Sequence, residues 1–441
     1  MNPIKQWCQR TYYALPPKCR YNLSSGYRQA RALDMAGEHW PLEKIQQWQL
    51  ERLRLMINFA YENTSGYRKL YDDVGVCPDD LKTLADVKKF PCIDKAILEE
   101  NREAFRANVY SARYVTTGGS TGKPLGLYSD RAHAEVEYAF MHRAWEMTGW
   151  RLNDIGFVLR GSYLGNDTKW FRRDNKYRYH LSSCFLTEEH YPQYRDLFLN
   201  IKPSFLHAYP STATDLARLV IQAKDAGKIP LQQIFLGSEN IYPWQLEEIE
   251  CAFPGVKIMA WYGHSERAVW APWCKERIYH INPFYGYAEI LNGNDDVEEN
   301  KIGEIVGTSF WMFGTPLIRY RTNDFAELGV IGCSCCGRQY RLLNKIDGRL
   351  QEIIVGVSGR RISMTVFAGS IMHGKLFKNI RKFRFVQHEP GKVEMQIVVT
   401  AEYKAEERQQ LLQSLSKFSD NDFVFTISNV SDLSSSKNGK F

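Results

Sequence analysis

No stretch of this sequence approaches the roughly 18 uncharged apolar residues that a membrane-crossing helix needs, which excludes a helical span. The first twenty residues, MNPIKQWCQRTYYALPPKCR, carry charge throughout and have no apolar centre. That is not the pattern of a secretory signal, so a cytoplasmic location is expected. The aromatic and basic mixture there reads as an arm packed on its own domain rather than a membrane contact. The ten cysteines are scattered, without the spacing of a small disulfide-stapled domain, and a reducing compartment follows. Charge of one sign is also scarce. A net charge of +7 suits an anionic small ligand but falls far short of a dedicated nucleic-acid binder. The cationic run Lys169, Arg172, Arg173, Lys176 and Arg178 reads as a solvated loop; as a nucleic-acid surface it would show steep salt dependence. No internal repeat is visible.

What is present is ordinary globular material in quantity. At 441 residues, 44% apolar and 24% charged, the chain has material for two or three domains with large cores. Helical spacing of Ile45, Trp48, Leu53, Met56, Ile57 and Ala60 predicts an amphipathic helix over 41–61. Further on, Asp130 is expected to cap a helix running to about Thr148, and Gly156 to Leu159 reads as a buried strand. Strands at 203–208, 233–236 and 257–262 alternate with helices at 212–226 and 243–253, which argues for α/β layers. From Glu304 the texture changes to strands and turns, at Ile305-Val306, Leu317 to Tyr320 and Phe325 to Leu328. The segment Ile346 to Arg349 reads as a boundary before a compact α+β unit. That unit has a hairpin across Glu389 to Lys392, a helix over 405–418, a strand over 423–427 and a polar tail.

The chain is organised around Tyr114 to Pro124, YVTTGGSTGKP. Three glycines let backbone N–H groups approach an anion, and four hydroxyls and one ammonium add donors, which is the make-up of a phosphate-gripping loop. It is not a Walker loop. Three residues, not four, separate Gly118 from Gly122, and Pro124 rather than a hydroxyl follows Lys123. TGGSTGKP resembles the [ST]SGSTGxP loop of the adenylate-forming (acyl-CoA synthetase) superfamily, with Gly118 where serine is usual. The nearest resemblance is to phenylacetate-CoA ligase-like proteins of the CapK type. It covers nearly the whole chain, since supporting motifs recur in order. Gly66-Tyr67-Arg68 and Phe90 to Lys95 match the entry segment that precedes the loop.

The resemblance implies an α/β fold: a large N-terminal domain of layered sheets and helices, residues 1–345, and a small mobile α+β lid, residues 346–441. It implies that Thr117, Gly118, Gly119, Ser120, Thr121, Gly122 and Lys123 grip the phosphates of ATP. Gly237, Ser238 and Glu239 resemble the turn beside the adenine. Trp261-Tyr262-Gly263-His264-Ser265-Glu266 resembles YGxTE, in which Tyr262 stacks on adenine, Ser265 meets the α-phosphate and Glu266 holds Mg²⁺; an aromatic face suits a purine and a carboxylate suits magnesium. His264 is as well read as a packed histidine as a substrate contact. Arg319 to Asp324 resembles YRTGD, with Asn323 in the glycine position. Both residue types tolerate positive φ, and Asp324 would accept the ribose hydroxyls. Asp347-Gly348-Arg349 resembles the hinge, with Arg349 reaching a phosphate or ribose oxygen and Gln351 and Glu352 in place of the usual hinge residue. Near the end, Ser436 to Lys440 resembles the C-terminal "GK" motif, making Lys440 the catalytic lysine, with Lys437 as fallback. The acyl pocket would lie between the Tyr209-Pro210-Ser211 turn and the Tyr262 strand.

Cys333 and Cys336 have C-x-x-C spacing, with Cys335 between them and Cys274 and His280 upstream. Thiolate and imidazole in that number suit a tetrahedral structural zinc, and four protein ligands leave no open position for catalysis. Free buried thiols are the plainer reading.

The expected activity is therefore an AMP-forming ligase. A carboxylate is activated with ATP and Mg²⁺ to an acyl-adenylate and handed to coenzyme A or to an amine, with surface-polysaccharide assembly a candidate setting. The expected partners are a small-molecule acid and an acceptor thiol or amine, with a homodimer open and no nucleic acid. The departures at Gly118, Asn323 and Gln351 leave a second reading, a relative that binds nucleotide without turnover.

Overall fold

The computed structural model describes residues 12, 15–109, 112–116, 125–130, 133–160, 170–183, 185–349, 353–357, 361–363, 379–416 and 422–433. Thr117 to Lys123, Lys169, Gln351, Glu352, Lys437 and Lys440 lie outside the described residues.

The amphipathic stretch forms the helix Leu42–Asn63, which buries Ile45, Leu53, Met56, Ile57 and Ala60 along one face. It ends at Thr64, whose Oγ1 accepts from the Tyr67 amide and so starts the next helix, Ser65–Val74. Strands β1 (Arg113–Thr116) and β2 (Gly126–Ser129) pair antiparallel, with Thr116 opposite Gly126. The two ends of the glycine-rich loop therefore lie side by side.

Seven strands follow: β3 (Gly156–Leu159), β4 (Phe171–Asn175), β5 (Arg178–Leu181), β6 (Phe205–Ala208), β7 (Gln233–Gly237), β8 (Lys257–Gly263) and β9 (Trp270–Pro272). They form one sheet in the order β4-β5-β3-β6-β7-β8-β9. Its centre, β5-β3-β6-β7-β8, is parallel, and both edge strands are antiparallel. Every residue of β6 and β7 is buried, as expected for parallel strands covered on both faces. The cationic run is not a loop. Its described part makes the β4–β5 hairpin, because Tyr179 and Leu181 are buried side chains that alternate with the charges. Asp130 Oδ2 accepts from the Phe313 amide at 2.7 Å, and the described part of the helix that follows it is His133–Glu146.

A second sheet, antiparallel, has the order β10-β15-β14-β13-β11-β12. Its strands are β10 (Tyr279–His280), β11 (Gly286–Asn292), β12 (Asp295–Asp296), β13 (Ile302–Ser309), β14 (Tyr320–Ile331) and β15 (Arg341–Arg349). Ile346 to Arg349, read as a boundary, is the last part of β15 and belongs to this sheet. Leu317 to Arg319 precede β14 instead of forming a strand. Beyond it lie the short pair β16 (Ile353–Val355) and β17 (Arg361–Ser363), then β18 (Ile380–Glu389), β19 (Lys392–Val399) and β20 (Val424–Asn429). The helix Ala405–Ser416 carries the chain from β19 to its parallel neighbour β20. The expected α+β unit thus has its own core, with Met395, Ile397, Leu411, Leu415 and Ile427 buried; Tyr242 and Trp244 of the larger part pack against it. Among the described residues no helix is long and apolar enough to cross a membrane.

Candidate active site

The parallel strands deliver their carboxyl ends to one edge, where ligands of α/β sheets bind. β7 ends at Gly237. A side chain there would lie 2.7 Å from the Trp261 indole, so the close approach of β7 and β8 needs glycine. Ser238 then takes a left-handed φ of 70°. Glu239 turns back to the helix Pro210–Gln222 and accepts from the Ser211 amide at 3.0 Å and the Ser211 hydroxyl at 3.1 Å. A carboxylate at a helix N-terminus satisfies an otherwise orphaned N–H and meets the positive end of the dipole. The Gly237-Ser238-Glu239 turn and the Tyr209-Pro210-Ser211 turn, separate in the sequence, are one structure.

β8 places Trp261 and Tyr262 on opposite faces, as a strand must. Trp261 enters the aromatic core of the seven-stranded sheet, 5.5 Å from His207 and 5.4 Å from Trp270. Tyr262 faces the second sheet, and its hydroxyl donates to Asp324 Oδ2 at 2.8 Å. Burial, and then the neighbouring Asp324 charge, push the Tyr262 hydroxyl well above the usual phenol range, so it is a committed donor. After Gly263, His264 Nδ1 lies 3.2 Å from Glu266 Oε2, and Tyr320 reaches Glu266 Oε1 at 3.5 Å. His264 Nε2 is buried with no hydrogen-bond partner among the described residues, while Ser265 is exposed.

Asp324 is held from its own strand as well. Asn323 adopts φ 58°, the positive value its place in the motif requires, and its amide donates to Glu304 Oε1 at 3.1 Å. Arg319 is buried in a two-pronged pair with Glu289, both contacts at 2.9 Å, and also donates to the Phe90 carbonyl. Asp324 and Arg349 are register partners across β14 and β15. The backbone of the hinge motif therefore runs beside the carboxylate expected at the ribose.

Two polar groupings escaped sequence reasoning. Arg160, the residue after β3, donates through Nη1 to His207 Nε2 at 3.1 Å and through Nη2 to Ser238 Oγ at 2.5 Å. Arg267 pairs with Glu137 at 2.7 Å, and burial holds the Glu137 carboxyl above its usual range. The signal available for Arg160 was its position just past an apolar strand.

The cysteine cluster assembles where β9, β10 and the turn after β14 meet. Cys333 Sγ lies 3.2 Å from Cys335 Sγ, which is 3.3 Å from Cys274 Sγ, and Cys336 Sγ is 3.3 Å from His280 Nε2. The donor atoms of Cys274, His280 and Cys333 lie within 4.8 Å of one another, as do those of Cys333, Cys335 and Cys336, so five candidate donors stand where four were expected. His280 Nδ1 sits 2.9 Å from the Ile278 carbonyl and donates to it, which leaves Nε2 as the lone-pair face toward the thiols. Burial lowers the His280 pKa to about 4, so the ring is neutral, the form a metal takes. The donor set and tautomer fit a divalent soft metal.

No family model matches the chain. It is 28% identical over 341 residues to the phenylacetate-coenzyme A ligase of Aromatoleum evansii, covering 72% of this chain and 74% of the relative. It is 23% identical over 288 residues to Protein CapK of Staphylococcus aureus, covering 64% and 62%. Among solved structures, 2-hydroxyisobutyryl-CoA ligase in its postadenylation state shares the fold, with a TM-score of 0.72 over 91% of this chain and 89% of that one at 16% identity.

Proposed function

The chain is a phenylacetate-CoA ligase-like member of the adenylate-forming superfamily, an ATP-dependent AMP-forming ligase, and on that premise we propose that it converts a carboxylic acid to its acyl-adenylate and then to a coenzyme A thioester. The single observation that carries the site assignment is the Tyr262–Asp324 hydrogen bond at 2.8 Å, which joins two motifs at one strand edge with Glu266 close by. Glu239 and Ser211 close the neighbouring side of the same edge.

In this reading the acid's carboxylate oxygen attacks the α-phosphorus of ATP, the bond to the bridging oxygen breaks, and pyrophosphate leaves. The thiol sulfur then attacks the acyl carbonyl, AMP departs, and the thiol proton goes to solvent. Asp324 accepts the ribose hydroxyls, a task for which a carboxylate has several acceptor sites. The Tyr262 ring would lie along the adenine, Ser265 would donate to the α-phosphate, and Glu266, largely enclosed, would be the ligand for the magnesium that accompanies ATP. Thr117 to Lys123 donate to the outer phosphates. Arg349, at the end of β15, would reach a phosphate or ribose oxygen, and Lys440 would act from the lid, offsetting charge that grows on the phosphoryl oxygens. Cys274, His280, Cys333 and one of Cys335 and Cys336 would hold a structural zinc, which supplies a cross-link between β9, β10 and β14 and takes no part in the reaction.

The test is pyrophosphate release with hydroxylamine trapping over aryl, fatty and amino acids, in wild type and in Lys440→Ala. The expected result is release with a restricted set of acids, reduced at least about 100-fold in the variant. Equal rates in the two proteins, or no release with any acid, would leave a nucleotide-binding relative without turnover. Adenylate that forms but never passes to coenzyme A would move the acceptor to an amine, as in surface-polysaccharide assembly.

A further inference from the structure

One guanidinium at the strand edge has no task in the reaction just described. From β3 the chain leaves to one side of the sheet, toward β4 and β5; from β6 it leaves to the other, toward β7. The crevice beyond β3 and β6 is therefore the switch point of the sheet, where side chains do not have to cover a crossing connection and ligands enter. Leu159 and Ala208 are register partners, so Arg160 and Tyr209 leave the sheet side by side. The Arg160 guanidinium carbon lies 4.9 Å from the Tyr209 ring centroid. Tyr209 is also one of the residues expected to bound the acyl pocket.

The partners of Arg160 among the described residues are neutral. A guanidinium only donates, so His207 Nε2 must accept, and His207 carries no charge: burial and then the Arg160 charge hold its pKa well below the usual range. The second partner is the Ser238 hydroxyl. The third is an aromatic face. Glu137, whose field reaches Arg160, is already paired with Arg267 at 2.7 Å. Among the described residues no carboxylate forms an ion pair with Arg160, and its Nε–H is buried with no hydrogen-bond partner. Trp145 and Trp261 pack against the His207 ring, and Trp145 stacks on Phe235 at 4.2 Å, so the imidazole that accepts from Arg160 is itself held by aromatic packing. Such a cation, oriented by two neutral partners and keeping one N–H in reserve, is arranged to receive an oxyanion along its Nε–Nη edge.

We propose that Arg160 is the counter-ion of a second oxyanionic group on the acyl substrate, so that the acid activated here carries a carboxylate or phosphate in addition to the carboxylate that reacts. His207 and Ser238 position the guanidinium, and Tyr209 covers its face. The proposal rests on the ligase reading and deepens it by naming the substrate class.

The test pairs each monocarboxylic acid with a counterpart of similar length bearing a second carboxylate, and with one bearing a phosphate, and measures kcat/KM for pyrophosphate release. Wild type is expected to favour one of the two anionic series. In R160Q that preference falls about 100-fold, the usual size of losing one partner of an enclosed, hydrogen-bonded charge pair. R160K, which retains the charge but not the planar fork, recovers part of it. Melting curves of the variants establish that they fold, and R160K carries the comparison if R160Q does not. Equal or better activity on the plain monoacids overturns the inference and leaves the ligase reading standing. A rise in KM for ATP alone in R160Q also overturns it, by giving Arg160 to the nucleotide. If no acid in any series is activated, the ligase reading falls, and binding decides the inference. Stabilisation of wild type by the diacids or phosphoacids that R160Q lacks supports it, and no stabilisation overturns it.

Discussion

The Tyr262 hydroxyl donates to Asp324 Oδ2 at 2.8 Å and so ties the end of β8 in the parallel sheet to β14 in the antiparallel one. The two residues stand 62 positions apart in the chain. Because the hydrogen bond is enclosed and its acceptor is charged, each partner is left costly to bury when the other is removed.

Replacing Asp324 with alanine is expected to raise KM for ATP by about 10- to 100-fold, the worth of an enclosed hydrogen bond to a charged group. Tyr262→Phe should cost less, because the ring remains. The double variant should fall short of the sum of the two effects, since both substitutions remove the same contact. Steady-state pyrophosphate release at varied ATP measures all three. Full additivity would mean that the contact does not contribute in solution.

The cysteine cluster predicts about one equivalent of bound zinc, read by elemental analysis of the purified protein. Cys274→Ser and Cys333→Ser should each abolish it, because both sulfurs belong to the close group with His280, and Cys333 is also grouped with Cys335 and Cys336. Five donors for four positions make one of Cys335 and Cys336 dispensable, so one of Cys335→Ser and Cys336→Ser should retain the metal. Chelation should lower the melting temperature of wild type and leave the metal-free variants unchanged.

Asp34 sets a pH dependence of stability. It is buried near Arg143 and Arg338, accepts from Asn282 Nδ2 at 2.7 Å, and burial raises its pKa from 3.8 to about 6. A carboxyl that is a weaker acid folded than unfolded binds more protons in the folded state, so stability falls as pH rises between about 4 and 6 and is level above that. The loss is on the order of 3 kcal/mol, about two pKa steps at roughly 1.4 kcal/mol each. Asp34→Asn should remove this slope. The melting temperature of the variant relative to wild type should therefore climb from pH 4 to pH 6 and stay constant to pH 8.

Some of the site was legible because its chemistry is local. A left-handed turn at Asn323 was expected from the residue type and is present at φ 58°. The C-x-x-C spacing announced a cluster with Cys274 and His280, and those atoms do converge. The hairpin across Glu389 to Lys392 followed from its turn residues, since a proline–glycine pair between two β-prone runs leaves the chain little else to do. The cationic run from Arg172 to Arg178 was misread as a loop, since its charges obscured the alternate buried residues Tyr179 and Leu181 that hold it to the sheet edge. Cys335 was left out of the ligand set because linear spacing does not tell which of three neighbouring thiols turn inward.

The sequence by itself determined most of the strands and helices, the left-handed turn at Asn323 and the gathering of Cys274, His280 and Cys333, because each of these depends on a few consecutive residues and their chemistry. Only the tertiary structure decided that Glu239 caps the helix of Ser211, that Tyr262 meets Asp324, and that Arg160 stands between His207 and Ser238 with no acidic partner among the described residues. Those meetings are fixed by strand order and register. Strand order and register follow from the packing of whole sheets against one another, to which every buried residue contributes and which no short motif records.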